Sequence, residues 1–200
     1  MQIGDIRESG PAARPQSPRI FVALKITSDL AQELFGLSAG LEGPAIRRIT
    51  PEDIHLTLVP PWNEPSIPDA VTKLGRVVET HPQFELTIQH VGYGPVPKRP
   101  RLLWAECAGN DQLAELRRDL LAAFVQTDDR PFRPHVTLAR IRNNGAAIAR
   151  RQPIDRVLAL SQRITSVELM RSPPPGGVGY TVLASLPLRA AACSAGVTTG

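Results

Sequence analysis

Two short stretches of this chain follow one pattern. His55-Leu56-Thr57-Leu58 and His135-Val136-Thr137-Leu138 each set a histidine two residues before a threonine, with aliphatic residues between and after. Each lies in a β-rich run, residues 54–59 (IHLTLV) and 135–141 (HVTLARI). On a strand, residues i and i+2 point to the same face. Each His therefore shares a face with its Thr, while Leu56 and Leu58, or Val136 and Leu138, face a core. The segments leading into the two runs also match. A strand at 19–26 (RIFVALKI), a helix and a turn precede the first; a strand at 101–107 (RLLWAEC), a helix and a Pro-containing loop precede the second. The two motifs lie about 80 residues apart, which indicates a duplicated lobe and not a solenoid of short repeats.

Composition narrows the setting. The chain has 200 residues, enough for one ordinary domain or two small lobes sharing a core. Apolar residues make up 42% and charged residues 21%, as in a globular protein. No apolar run approaches the ~18 residues of a membrane span, and residues 1–18 show neither the apolar core nor the cleavage site of a secretory signal. Cys107 and Cys193 are the only cysteines, which excludes a disulfide framework and a cysteine-built zinc site. The expected compartment is the cytoplasm, with no membrane partner. A net charge of +4 permits phosphate binding without establishing it. An aromatic content of 4% argues against a module that stacks several bases on exposed rings.

Residues 1–18, rich in Pro, Gly, Ser and Arg, read as a disordered leader, and 190–200 as a flexible tail. Between them, 19–189 reads as a single domain. The periodicity predicts helices at 30–41, 69–81 and 111–125, the last with Leu113, Leu116, Leu120 and Phe124 as its stripe. Strands are predicted at 19–26, 46–49, 54–59, 84–93, 101–107, 135–141, 162–170 and 180–188, with Pro60-Pro61 stopping the third. Residues 51–53 read as a turn, and 145–154 is ambiguous.

Two imidazoles and two hydroxyls on strand faces suit one kind of chemistry. A neutral imidazole accepts a proton from water, and a protonated one gives a proton to a leaving oxygen; a pKa near 6.5 lets both coexist near neutrality. Threonine hydroxyls donate to non-bridging phosphate oxygens as an oxyanion hole donates to a tetrahedral intermediate. The set fits metal-free attack on a phosphodiester. It does not fit zinc hydrolysis or a P-loop, since neither HExxH nor GxxxxGK[ST] occurs.

These motifs, with RIFVALKI, PEDIHLTL, RLLWAEC, FRPHVTLAR and the late ELMRSPPPGGVGYTVLASLPL, resemble the 2H phosphoesterase superfamily, and within it the bacterial and archaeal RNA 2′,3′-cyclic phosphodiesterases, historically called 2′-5′ RNA ligases. The resemblance spans residues 19–188. It implies a bilobal, duplicated α+β fold, with two antiparallel β-sheets facing across a central cleft and helices on the outer faces. It implies hydrolysis of RNA or nucleotide 2′,3′-cyclic phosphate ends to a 2′-phosphomonoester by a monomer that needs no cofactor or metal. Carried over residue by residue, His55 is the general acid, His135 the general base, Thr57 and Thr137 the phosphate donors, and Arg140 the substrate-binding arginine of an extended HxTxxR motif. One departure stands out. Family members often continue the first motif with Lys-Phe-Leu-Gly, where this chain has Val59-Pro60-Pro61-Trp62. That leaves room for another 2′-linked phosphodiester, such as a 2′-5′ oligonucleotide or a tRNA-repair cyclic phosphate, or for nucleotide or RNA binding without turnover. Trp62 can stack on a base or ribose, or pack its loop onto the lobe. Tyr180, beside the Gly-rich loop, is a candidate cleft residue. Trp104 and Cys107 read as core, His81 and His90 as core or surface.

Overall fold

Alternating and doubly apolar strands need partners on both edges, and the chain supplies them from both ends. The structure, a computed structural model, describes residues 17–175 and 177–190; all but the last two residues of the expected leader, and all but the first of the expected tail, lie outside these. The strands are β1 (Arg19–Lys25), β2 (Ile46–Arg48), β3 (His55–Asn63), β4 (Phe84–Gly94), β5 (Leu102–Cys107), β6 (His135–Ile141), β7 (Arg156–Ile164), β8 (Ser166–Arg171) and β9 (Thr181–Pro187). The helices are α1 (Ser28–Gly36), α2 (Ile67–Val78), α3 (Asp111–Ala123) and α4 (Gly145–Arg151), and a 3-10 turn covers Pro51–Asp53. The fold is α+β.

The strand order is β7-β4-β5-β6-β3-β1-β8-β9, with β2 added beside β6, and every pairing is antiparallel. The expected two sheets are thus two halves of one hydrogen-bonded set. They meet between β3 and β6 at a single pair, Leu56↔Val136, the central residues of the two His-x-Thr motifs. One shared pair holds the motifs side by side and leaves the rest of each strand to its own half. The duplication is explicit, since β1–α1–β3 and β5–α3–β6 each form a strand, a helix and an antiparallel neighbour. One apolar core serves both halves. Ile20, Val22 and Leu24 of β1, Leu103 and Ala105 of β5, and the stripes of α1, α2 and α3 belong to the same cluster. Alternation sends Phe21 and Ala23 to the other face of β1, where they pack with Met170 and Tyr180.

Three departures from the sequence pattern shape the fold most. Pro60-Pro61 does not stop β3, which runs on to Asn63. The register with β1 shifts between Val22↔Val59 and Ile20↔Trp62, so the prolines occupy a bulge, where a missing N–H breaks no ladder bond. The predicted strand at 162–170 is two strands. β7 pairs with β4 in one half and β8 with β1 in the other, so the chain crosses the molecule at Thr165. Helix α1 stops at Gly36 instead of residue 41; the Ser38 hydroxyl donates to the Phe35 carbonyl at 2.8 Å in the turn that follows, and Leu41 still reaches the core.

Candidate active site

Both motifs carry the same local defect. Strand β3 buries Leu56, Leu58 and Val59, and the register against β1 slips between Ala23↔Thr57 and Val22↔Val59. Strand β6 buries Val136, Leu138 and Ala139, and its register slips between Trp104↔Thr137 and Leu103↔Ala139. A bulge reverses the facing of everything beyond it. Simple alternation from Thr137 would send Arg140 into the core; the bulge instead leaves it exposed, on the open face with His135 and Thr137. The same turn in β3 places Pro60 at the equivalent position.

The two imidazoles are anchored alike. His55 Nδ1 lies 2.6 Å from the Asp53 carbonyl oxygen, and His135 Nδ1 lies 2.7 Å from that of Arg133. A carbonyl only accepts, so Nδ1 carries the proton and donates in both rings. Each Nε2 is left to accept or deliver a proton. An antiparallel register centred on Leu56↔Val136 runs His55 toward Thr137 and Thr57 toward His135, so each imidazole is associated with the hydroxyl of the other motif as well as its own.

Their surroundings differ. His55 is caged by rings: Phe21 at 5.0 Å and Tyr180 at 5.1 Å between centroids, with Phe21 and Tyr180 edge-on to each other at 5.1 Å. Asp53 ties this cage together, because its carbonyl holds His55 and its carboxylate accepts the Tyr180 N–H at 2.9 Å. His135 instead lies 4.5 Å from the ring of Trp104, over which Arg133 sits at 5.3 Å. Trp104 is buried as expected, yet on the site side of β5, and its ring covers Gly94, where any side chain would collide with it. Across the neighbouring strand, Lys25 is paired with His55 and Glu106 with His135.

Both histidines are held below the ordinary imidazole range. Burial is the main cause in each, opposed by the hydrogen bond to the carbonyl. The Arg140 charge lowers both. The Glu106 carboxylate raises His135, and the Asp53 carboxylate raises His55.

Of the sequence candidates, His55, Thr57, His135, Thr137, Arg140 and Tyr180 are brought together. Trp62 is not. It sits opposite Ile20, on the core side of β3, 4.8 Å from the Phe124 ring, with its N–H donating to Glu64 at 2.9 Å. The proline bulge turns it there. His81 pairs with Asp119 and His90 with Asp155, and burial pushes the Cys107 thiol up to about 12, as befits packing. Sequence reasoning did not single out Phe21, Asp53 or Glu106. Phe21 lay hidden in an apolar run; the spacing of Asp53 and Arg133, each two residues before its histidine, was the readable signal for the carbonyl anchors.

The structure is an α+β protein with two imidazoles anchored alike, each sharing an open face with its threonine, and with Arg140 on that face of β6. The match to known families agrees: residues 29–173 fit the 2′-5′ RNA ligase superfamily. The chain belongs to that superfamily. A Thermus thermophilus protein named RNA 2′,3′-cyclic phosphodiesterase is 32% identical over 157 residues, 70% of this chain and 75% of the relative. A Geobacillus stearothermophilus protein of the same name is 30% identical over 131 residues, 60% of this chain but 41% of that longer protein. The fold is shared with the Thermus thermophilus protein TT0787 (TM-score 0.72, 24% identity, covering 86% of this chain and 98% of that one). It is also shared with E. coli LigT complexed with 3′-AMP (TM-score 0.69, 23% identity, 86% and 98%).

Proposed function

We propose that this protein is a phosphodiesterase that opens RNA 2′,3′-cyclic phosphate ends to 2′-phosphomonoesters without a metal or cofactor. The observation that carries the reading is the twin anchoring of His55 and His135 through Nδ1, which exposes two Nε2 atoms of opposite potential role. His135 Nε2 takes a proton from water as the water oxygen bonds to phosphorus. The P–O3′ bond breaks, and protonated His55 gives its Nε2 proton to O3′. Thr57 and Thr137 donate to the non-bridging oxygens as charge grows there, and Arg140 orients the phosphate. Glu106 supports His135 as the base, because a carboxylate beside it stabilises the imidazolium that forms as the proton arrives. In the reverse roles that carboxylate would hold back the acid's proton. The names of the similar proteins support the substrate class. A single chain supplies both motifs, so the site needs no second copy, and a monomer in the cytoplasm is the setting proposed.

The test is turnover of 2′,3′-cyclic AMP by the purified full chain in excess EDTA, with the product resolved chromatographically. The expected product is 2′-AMP. Activity lost in EDTA and restored by a divalent ion overturns the metal-free mechanism, and 3′-AMP as product overturns the assignment of O3′ as leaving group.

A further inference from the structure

Two arginines face each other across β2 and β6, and among the described residues neither has an ion-pair partner. Arg47 is the register partner of Arg140, and residues directly opposite on antiparallel strands have Cβ atoms about 4.5–5.5 Å apart on the same face. Their flanking pairs, Ile46↔Ile141 and Arg48↔Ala139, fix that face. Ile141 and Ala139 are buried in the core, so Arg47 and Arg140 share the other, open side with His135 and Thr137. Arg48 shows the contrast. It turns inward, donates to Ser38 Oγ at 3.0 Å and to the Phe35 carbonyl at 3.1 Å, and stacks 3.9 Å over the Phe35 ring. Arg47 is exposed, and among the described residues neither Arg47 nor Arg140 has an ion pair. Like charges placed directly opposite on a sheet are destabilising, and an anion between or beyond them removes the penalty with the bidentate geometry guanidinium groups favour.

The two arginines are not equivalent. The charge of Arg140 acts on both imidazoles, whereas the charges acting on them do not include Arg47. Arg47 stands on β2, on the same side of β6 as β3 but displaced along β6 away from His135. A 2′,3′-cyclic phosphate closes the 3′ end of an RNA, so the chain extends from it in one direction only, and the next anion it presents is the preceding phosphodiester.

We propose that Arg47 forms a second phosphate subsite, which binds the phosphodiester preceding the cyclic phosphate and makes an RNA end of two or more nucleotides the preferred substrate over a free cyclic mononucleotide. This rests on the function proposed above. The experiment compares kcat/KM for 2′,3′-cyclic AMP with that for the dinucleotide ApA ending in a 2′,3′-cyclic phosphate. It uses the wild type, Arg47→Gln, and Arg118→Gln as a control that removes one charge from the outer face of α3. The wild type favours the dinucleotide, through KM, by roughly tenfold, the scale of one charge-assisted contact. Arg47→Gln brings the ratio near unity and reduces the salt dependence on the dinucleotide by about 0.7 in log–log slope, the share of one phosphate on a single strand. Arg118→Gln keeps the wild-type ratio. A wild type without preference, or an Arg47→Gln variant that retains it, overturns the subsite. So does a variant that slows both substrates equally, which would put Arg47 on the cyclic phosphate itself. If the wild type turns over neither substrate, the proposed function fails first. Calorimetric binding of ApA 3′-phosphate against 3′-AMP, wild type against Arg47→Gln, then decides the subsite alone: an unchanged affinity ratio overturns it.

Discussion

The two halves of this protein solve the same backbone problem and then part company in their side chains. In both, a bulge follows the His-x-Thr triplet, a carbonyl two residues upstream holds Nδ1, and the motif centre lies on the Leu56↔Val136 seam. Beyond that frame the halves diverge. His55 is walled by Phe21 and Tyr180 with Lys25 across the strand; His135 rests on Trp104 with Glu106 across the strand. The first half has Pro60 where the second has Arg140. Duplication supplies two imidazoles anchored alike, and in the mechanism proposed above their unequal neighbours suit them to separate jobs.

The most severe way to break the comparison is to remove either imidazole. His55→Ala and His135→Ala are each expected to lower kcat by about 10² to 10⁴. The double variant should be little worse than the single ones, because the two act as one unit. Steady-state rates on a cyclic-ended substrate check this; a full rate in either single variant would mean the halves do not work as a pair.

The hydroxyls come next. Thr57→Val and Thr137→Val keep shape and β-branching, so the strands should persist. Loss of a donor aimed at developing charge predicts roughly a tenfold to thousandfold fall in kcat with a smaller change in KM. Should KM rise at constant kcat, the threonines bind substrate and transition state equally and belong to positioning. Unequal losses for the two variants would measure how far the halves have diverged at this position.

Much of this was readable before the fold was known. The i, i+2 spacing placed each Thr beside its His, and the apolar positions between them placed the core. What the pattern did not reveal was register. Whether Arg140 faces the core or the site depends on a bulge at Leu138, and Trp62 turns inward because of a second bulge at Pro60-Pro61; neither leaves a periodic trace. The crossing at Thr165 was hidden because β7 is an edge strand, exposed at Arg156 and Val157, and so lacks the apolar alternation that marks strands. Nothing in the sequence marks Glu106; only its pairing with β6 puts it opposite His135.

A gentler perturbation moves both halves together through pH. Because burial holds both imidazoles below the ordinary value of ~6.5, kcat/KM, which reports the free enzyme, should be bell-shaped with its limbs displaced to the acid side of that value. The apparent pKa values belong to the coupled pair. A profile flat from pH 5 to 9, or one with both limbs well above 7, would contradict paired, buried imidazoles.

The smallest effect discriminates most sharply between the halves. Glu106 and His135 are directly opposed, and the hydrogen bond from the Cys107 N–H to the Pro134 carbonyl makes the adjacent pair the hydrogen-bonded one. Glu106 and His135 are thus a non-hydrogen-bonded pair, the kind whose side chains lie closest. The carboxylate forms one loose ion pair, with Arg133 at 3.5 Å, so Glu106→Gln removes charge without dismantling a network. The imidazolium of His135 loses a stabilising neighbour while Arg133, Arg140 and His55 remain, and its pKa falls further. Its NMR titration, identified by the signal missing in His135→Ala, should move to lower pH; Glu106→Asp keeps the full negative charge one methylene further back and should restore part of the shift. The rate then reports the role. A base with a lower pKa is a weaker base, so the pH-independent kcat should fall by about two- to tenfold. If His135 were the acid, the same shift would make it a better donor, and kcat would hold or rise. Lys25→Gln, at the matching position beside His55, should leave the His135 titration in place. A His135 titration unmoved by Glu106→Gln would mean that the difference across the strand does not separate the halves.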